Sequence, residues 1–139
     1  MTIQTAELIE TWLQSTLGGD ATLSGLVNGA FVSTLAPVGN LDLPCVSWSM
    51  FSSRDITAVG GDLIDTDSIY LVKAIVMGAS WVTAAPIANR IHTLINRATV
   101  SFSPTSSLTC VRERVHQRPE EVGGQQYRHL GGMYRIRAI

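Results

Sequence analysis

Histidine and cysteine are the side chains of this 139-residue chain that most readily ligate metals or act as catalytic bases and nucleophiles. The chain contains His92, His116, His129, Cys45 and Cys110. They are scattered singly, without the short spacings of metal sites. No serine lies in a GxSxG nucleophile elbow, and no glycine pair opens a strand–loop–helix phosphate cradle. We therefore expect no catalytic site, no metal and no cofactor, and we interpret both cysteines as buried free thiols.

An acidic cluster occupies the segment GGDLIDTD, residues 60–67, which we expect to be a loop. Its acids are Asp62, Asp65 and Asp67. The spacing lacks the central glycine and final glutamate of an EF-hand loop, so a solvated loop is a plainer interpretation than a calcium site. Another interpretation is an acidic loop that faces a channel for a polyanion, where charge repulsion prevents sticking.

Arginines alternate with other residues in two extended segments near the C-terminus. The strand predicted over residues 108–118 places every second residue on one face, namely Arg112, Arg114, His116 and Arg118. The last predicted strand carries Arg135 and Arg137 in the same alternation. A sheet with one solvated face explains this pattern in a monomer, and a subunit contact, where arginine is enriched, explains it equally well.

Hydrophobic spacing predicts the helices that must position these residues. An amphipathic helix is expected over residues 5–17 with Thr5 as its N-cap, and a short helical piece follows Asp20. A second amphipathic helix is expected over residues 83–96, with Pro86 in its first turn.

Alternating or β-branched runs predict the strands, which cover residues 31–36, 45–57, 68–77, 108–118 and 127–139. The stretch 101–107 is expected to be turn-rich, and residues 119–126 are expected to form the flexible tip of a long C-terminal hairpin. There is no βαβ series, so we expect one α+β domain over residues 1–139, with a mostly antiparallel sheet and the helices packed on it.

Composition limits the classes of function. The chain is 45% hydrophobic and 15% charged, with a net charge of −1 and a mean hydropathy of +0.21. This composition excludes a disordered chain, and the lack of a basic excess argues against a protein whose main task is gripping nucleic acid. We expect no membrane span and no secretory signal, because no apolar run approaches about 18 residues and the N-terminus lacks a basic region followed by an apolar one.

Charge is divided unevenly along the chain. Residues 1–70 hold one cation and eight acids (1 − 8 = −7), whereas residues 71–139 hold nine cations and three acids (9 − 3 = +6). Nine of the ten cations are arginine, and Lys73 is the single lysine. The two halves can pair within one subunit or between neighbouring subunits, and the sequence leaves both possibilities open.

The order of elements and four segments carry a resemblance to a known family. The segments are FVSTLAP, LPCVSWSM, SIYLVKAIVMGASWVTAAPIANRIHTLI and VRERVHQRPEEVGGQQYRHLGGMYRIRAI. In this order they resemble the tail terminator (tail completion) proteins of long-tailed bacteriophages, a family of small α+β proteins that form hexameric rings. The last segment is the strongest part, because it is similar to the family's final hairpin. The polar stretch WSMFSSRDITAVGGDLIDTD departs from the family pattern.

The resemblance implies a structural virion protein and not an enzyme. Such a ring caps the tail tube, ends tail elongation and joins the tail to the neck, while genomic DNA passes through the lumen without sequence-specific binding. The implied partners are further copies of the chain, the tail tube protein and a neck or head-completion protein, with no membrane. The implied location is the tail or neck of the virion, after assembly in the host cytoplasm.

A ring brings one face of a subunit against a different face of the next, which the acidic and basic halves could supply. We therefore predict a subunit interface that includes Arg112, Arg114, Arg118, Arg135, Arg137 and Glu113. We also predict that Asp62, Asp65 and Asp67 face the lumen or an axial partner.

Two alternatives remain open. One is a head-completion (stopper) protein or another ring protein of the neck, which differs in the partner it sits on. The other is a small cytosolic α+β enzyme or ligand-binding module, which would need a concave pocket with convergent polar groups.

Overall fold

A six-stranded sheet forms the centre of the fold, in a computed structural model that describes residues 3–33, 37–57 and 63–139. The helices are α1 (Ile3–Gly18), α2 (Ala21–Val27) and α3 (Ala84–Ile95). The strands are β1 (Phe31–Val32), β2 (Cys45–Thr57), β3 (Leu63–Met77), β4 (Ala98–Ser103), β5 (Ser106–Val122) and β6 (Gln125–Ala138). Across the sheet they run β1-β2-β3-β6-β5-β4, and the pairings are antiparallel apart from that of β1 with β2. The predicted α+β class is confirmed.

The helices pack on one side of the sheet, which we call the helix face. Both long helices bury one apolar stripe at i, i+4 spacing, and every side chain of these stripes is at most 1% exposed: Ile9, Leu13, Leu17, Ile87, Ile91 and Ile95. They meet Trp48, Val72, Tyr134 and Ile136 of the sheet in one core cluster. None of the helices in the described part of the chain is long and apolar enough to cross a membrane.

Asp20 fixes the position of α2. Its carboxylate accepts hydrogen bonds from Arg90 Nε at 2.9 Å and Arg90 Nη2 at 2.7 Å, which joins α2 to α3. The same carboxylate accepts the Leu23 backbone N–H at 2.9 Å, which is the predicted N-cap. The Arg90 guanidinium and this cap lower the pKa of Asp20 to about 2.

Two predicted boundaries are wrong near the chain ends. Helix α1 begins at Ile3, so Thr5 lies inside the helix and not at its cap. The hairpin has no flexible tip at residues 119–126, because β5 continues to Val122 and pairs with β6 from Gln125 onward. The turn consists of Gly123 and Gly124 alone, with φ of 59° and 83°, the left-handed conformations that a two-residue hairpin turn favours.

Two further strands begin or extend where the sequence predicted turns or loops. Within the stretch predicted as turn-rich, residues up to Ser103 belong to β4, an edge strand whose side chains are exposed or half-buried and therefore carry little apolar signal. Strand β3 begins at Leu63, so Asp65 and Asp67 lie in a strand and not in an acidic loop. Asp62 lies outside the described residues, as do residues 34–36 of the first predicted strand.

The charge of Asp20 should stabilise the protein only above acidic pH. A pKa below the ordinary value of 3.8 means that this stability is present above about pH 4 and is lost as the pH falls through about 2. We expect Asp20→Asn, which keeps a capping oxygen, to lower the Tm at pH 7. The Tm difference between the two proteins should vanish toward pH 2 in calorimetric scans; a difference that is independent of pH would contradict this.

Candidate functional site on the open face of the sheet

The sheet face opposite the helices, here called the open face, carries most of the charged side chains of the sheet. Cross-strand partners share a face, so the register row Arg54–Asp67–Arg137 shows how β2, β3 and β6 bring their charges together. Further charged or titratable side chains on this face are Asp65, Lys73, Arg114, His116, Arg118, Glu120, His129 and Arg135.

Two nearly buried aspartates organise one end of this face. Asp65 is 8% exposed and accepts a hydrogen bond from Arg137 Nη2 at 2.6 Å. Asp67 is 9% exposed, and its Oδ2 lies 3.4 Å from Arg54 Nη2 and 3.4 Å from Arg135 Nη1. Arg135 Nε also lies 2.7 Å from Glu113 Oε1. The cluster links four strands through paired charges in place of an apolar layer.

These contacts show that the two charge halves pair within one subunit at several points. Asp20, Asp65 and Asp67 of the acidic half bind Arg90, Arg137 and Arg135 of the basic half. The guanidinium groups of Arg135 and Arg137 are therefore engaged inside the chain, although 41% and 49% of these side chains stay exposed.

The predicted row of Arg112, Arg114, His116 and Arg118 on one face is wrong. The register shifts at Glu113, so that Arg112 pairs with Tyr134 whereas Arg114 pairs with Met133. Because adjacent residues of β6 point to opposite faces, this bulge places Arg112 on the helix face and Arg114 on the open face with His116 and Arg118. A one-residue bulge reverses every side chain beyond it.

Arg112 consequently takes part in the contact between α3 and the sheet. Its backbone N–H donates to Asn96 Oδ1 at 2.9 Å, and its methylene carbons lie over Gly132. Nearby, His92 Nδ1 lies 3.2 Å from the hydroxyl of Tyr134. Burial and the charge of Arg112 lower the pKa of His92, and burial raises the pKa of Tyr134 to about 12.

A cavity of about 260 Å³ opens at the other end of the open face. The segment before β2 forms one wall, the start of β2 and the second half of β3 form the floor, and the hairpin of β5 and β6 forms the other wall. The lining residues are Pro37, Val38, Leu41, Ser47, Leu71, Lys73, Ile75, His116, Arg118, Glu120 and His129. No short sequence motif marks this cavity, because its residues come from four strands and one preceding segment.

The hairpin wall is held by Glu120. Its Oε1 lies 2.8 Å from His129 Nε2, and its Oε2 lies 3.1 Å from Arg118 Nη2. The bond to His129 is the main cause that lowers the pKa of Glu120, whereas burial lowers the pKa of His129. The hairpin wall therefore carries a carboxylate whose two oxygens are already occupied.

Gly131 lies between two residues that line the cavity. It is the cross-strand partner of both Lys73 and His116, and it is buried without a side chain between them. A Cβ at this position would collide with Val72 O and lie 2.5 Å from Lys73 Cα. Glycine is required here because β6 approaches the backbone of β3 too closely for any other residue.

The cysteines and the metal-ligating side chains of the described residues offer no reactive group at this face. Both cysteines are buried and free, as predicted, and burial raises the pKa of Cys45 to about 11 and that of Cys110 to about 12, so neither is a thiolate near neutral pH. Among the described residues, no group of three or more His, Cys, Asp or Glu side chains is placed to hold a metal ion.

The sheet has unpaired outer edges on both sides in the described part of the chain. Strand β1 pairs only with Val46 and Ser47 of β2, and β4 pairs with β5 only as far as Cys110. Beyond these points, β2 exposes 52% of Met50 and 68% of Phe51, and β5 exposes Val111, Val115 and Val122 by 48%, 55% and 50%. Long edges with exposed apolar residues are templates for pairing with another chain.

Comparison with known proteins identifies a shared fold. No protein-family model matches the sequence, and no curated protein matches it. A solved structure described as "Virion of native gene transfer agent (GTA) particle" contains a chain with a TM-score of 0.76 and 21% identity to this one. The match covers 99% of this chain and 98% of that chain, so the two share the whole fold from end to end.

The ion pairs of the open face should differ in their contribution to stability. Arg137→Met leaves Asp65 nearly buried without its cation, and we expect it to lower the free energy of unfolding by about 1–3 kcal/mol. Arg54→Met is the matched control, because Asp67 keeps Arg135, and should cost less than about 1 kcal/mol. Urea titration of both variants measures this order, and equal losses would contradict it.

Proposed function

We propose that this protein is a structural component of a phage-like virion, in which copies of the chain form a ring that caps the tail tube. The observation that carries the proposal is the end-to-end likeness to a chain of a gene transfer agent virion. A likeness over the whole of both chains places the helices, the sheet and the long hairpin in the same arrangement. The resemblance of the sequence to tail terminator proteins supports the finer assignment.

The two unpaired edges of the sheet support a ring. In the described part of the chain, the free part of β5 follows Arg112, whose N–H is bonded to Asn96, and the free part of β2 on the other side contains Phe51. If β5 of one subunit docks beside β2 of the next, each contact joins two different surfaces, and a closing rotation yields a ring, which we propose is a hexamer. The exposed apolar side chains on both edges would be buried in this contact.

The arginines predicted at the interface divide into two groups in this arrangement. Arg112, Glu113 and Arg114 surround the bulge on the free part of β5, and Arg118 follows on the same strand, so these residues lie at the proposed contact. Arg135 and Arg137 lie on β6 and contribute through their exposed portions after pairing with Asp67 and Asp65.

We further propose that the open face lines the lumen and that the helices lie outside. The aspartates and arginines of this face neutralise one another, which suits a conduit that DNA passes without sequence-specific binding. Asp65 and Asp67 lie on the lumen side in this arrangement, covered by their arginines. The protein thus belongs to the virion tail or neck, and its further partners are the tail tube and a neck or head-completion protein.

The ring can be tested with two single substitutions on opposite edges. We expect the wild type to be hexameric in native mass spectrometry, with subunits of 15.0 kDa. Phe51→Lys and Val115→Lys should each give mainly monomers, because each introduces a charge into one side of every contact. Val82→Lys, at a position 78% exposed in the loop before α3, is the matched control and should stay hexameric.

An equimolar mixture of the two edge variants distinguishes this contact from a symmetric one. Phe51→Lys keeps an intact β5 edge and Val115→Lys keeps an intact β2 edge, so together they should form heterodimers that cannot close into a ring. Hexamers from either variant alone, or mixtures that stay monomeric, would contradict the head-to-tail contact.

A binding experiment distinguishes a tail terminator from a stopper protein of the neck. A terminator binds the end of the tail tube, whereas a stopper binds the portal or its adaptor. Mixing the purified ring with tail tube protein and with portal protein therefore decides between them, and we expect a complex with the tube.

A further inference from the structure

We propose that the open-face cavity is a binding site for a small oxyanion, such as phosphate or the carboxylate of a small organic acid. The inference rests on Lys73, His116 and His129, and it does not depend on the ring or on the virion. None of these residues serves the hydrophobic core of the helix face, and all three line the same cavity.

Lys73 is the strongest indication of a ligand. This single lysine of the chain is 7% exposed and lines the cavity, and in the described part of the chain it makes no hydrogen bond and no ion pair. Its ammonium keeps some accessible surface and is only partly desolvated, but it has no hydrogen-bond partner among the described residues. A partly desolvated charge is costly, and an apolar residue of similar length would fill the same place without that cost. A bound anion supplies the missing partner.

The two histidines add further polar atoms without partners. His116 Nε2 and His129 Nδ1 are buried and have no hydrogen-bond partner among the described residues, although the opposite nitrogen of the His129 ring is held by Glu120. Buried polar atoms are usually satisfied by protein, by water or by a ligand. His116 Nε2 can donate to an oxyanion when it carries the proton of the ring, whereas His129 Nε2 directs its proton to Glu120, so Nδ1 donates only from a doubly protonated ring.

The charge and size of the cavity select the ligand. Lys73 and Arg118 carry positive charge, while the one carboxylate of the lining, Glu120, is occupied by Arg118 and His129. The volume of about 260 Å³ equals that of roughly nine water molecules at about 30 Å³ each, which accommodates a small anion and a few waters. Because Lys73 lies at the bottom, a phosphate within a DNA duplex should not reach it.

The site can be tested by thermal unfolding in inorganic phosphate and in acetate. Each anion is compared with chloride at the same ionic strength. We expect at least one of the two oxyanions to raise the Tm of the wild type in a saturable manner, by about 5 °C when it is well above its Kd. Lys73→Met keeps the length of the side chain but removes its charge. It should fold with a Tm at least equal to that of the wild type without the oxyanion and should lose the response to it.

Arg97→Asn is the matched control, because it removes an exposed cation outside the cavity. Arg97 has a left-handed backbone conformation, which asparagine tolerates. This variant should keep the full Tm response to the oxyanion. Short duplex DNA at the same phosphate concentration should produce no shift that depends on Lys73. The proposal would be overturned if the Tm of the wild type responded to neither anion, or if Lys73→Met responded as strongly as the wild type. A Tm shift with the duplex that depends on Lys73 would overturn the restriction to small anions.

A direct measurement covers the case in which Lys73→Met does not fold. NMR signals of the His116 and His129 imidazoles should shift during a titration of the wild type with the oxyanion that raises its Tm, while those of His92 on the helix face should not. Unchanged signals of His116 and His129 would overturn the proposal without any variant.

Discussion

A sheet that carries helices on only one face must satisfy its other face by different contacts. In this protein the helix face follows the ordinary rule, with the buried stripes of α1 and α3 packed on Trp48 and Tyr134. The open face has a small apolar cluster of Val38, Cys45, Ile75 and Tyr127 at one end. At the other end it pairs charges across strands, with Asp65 and Asp67 nearly buried beneath arginines of β2 and β6. Part of the uneven charge of the two halves of the chain therefore serves this face.

In the described part of the chain, β1 and β4 pair with only the first residues of β2 and β5, and most of the outer edge of these two strands has no partner strand. Edges of this length with exposed Phe51 and Val115 are unusual for a chain that acts alone, since proteins generally block such edges. In the proposed ring, the unpaired edge of β5 in one subunit pairs with the unpaired edge of β2 in the next. The bulge at Glu113 lies on this edge of β5. The bulge presents Arg114 to the open face while it directs Arg112 into the contact with α3.

The sequence predicted those elements whose signal is local. The stripes of α1 and α3, the cap at Asp20 and the alternation of β2 and β6 all appear in the spacing of apolar residues, and the α+β class follows from them. The bulge at Glu113 gave no such signal, since neither glycine nor proline marks it, and one missed residue placed Arg112 on the wrong face. The strand position of Asp65 and the convergence of Lys73 with His116 depend on partners far away in the chain, which local patterns do not encode.

Single-particle electron microscopy of the purified oligomer tests the central claim most directly. The account predicts a closed ring in which β5 of one subunit lies beside β2 of the next, so that a sheet continues from subunit to subunit with the helices on the outside. A particle joined through its helices, or a two-fold dimer in which like edges meet, would contradict it.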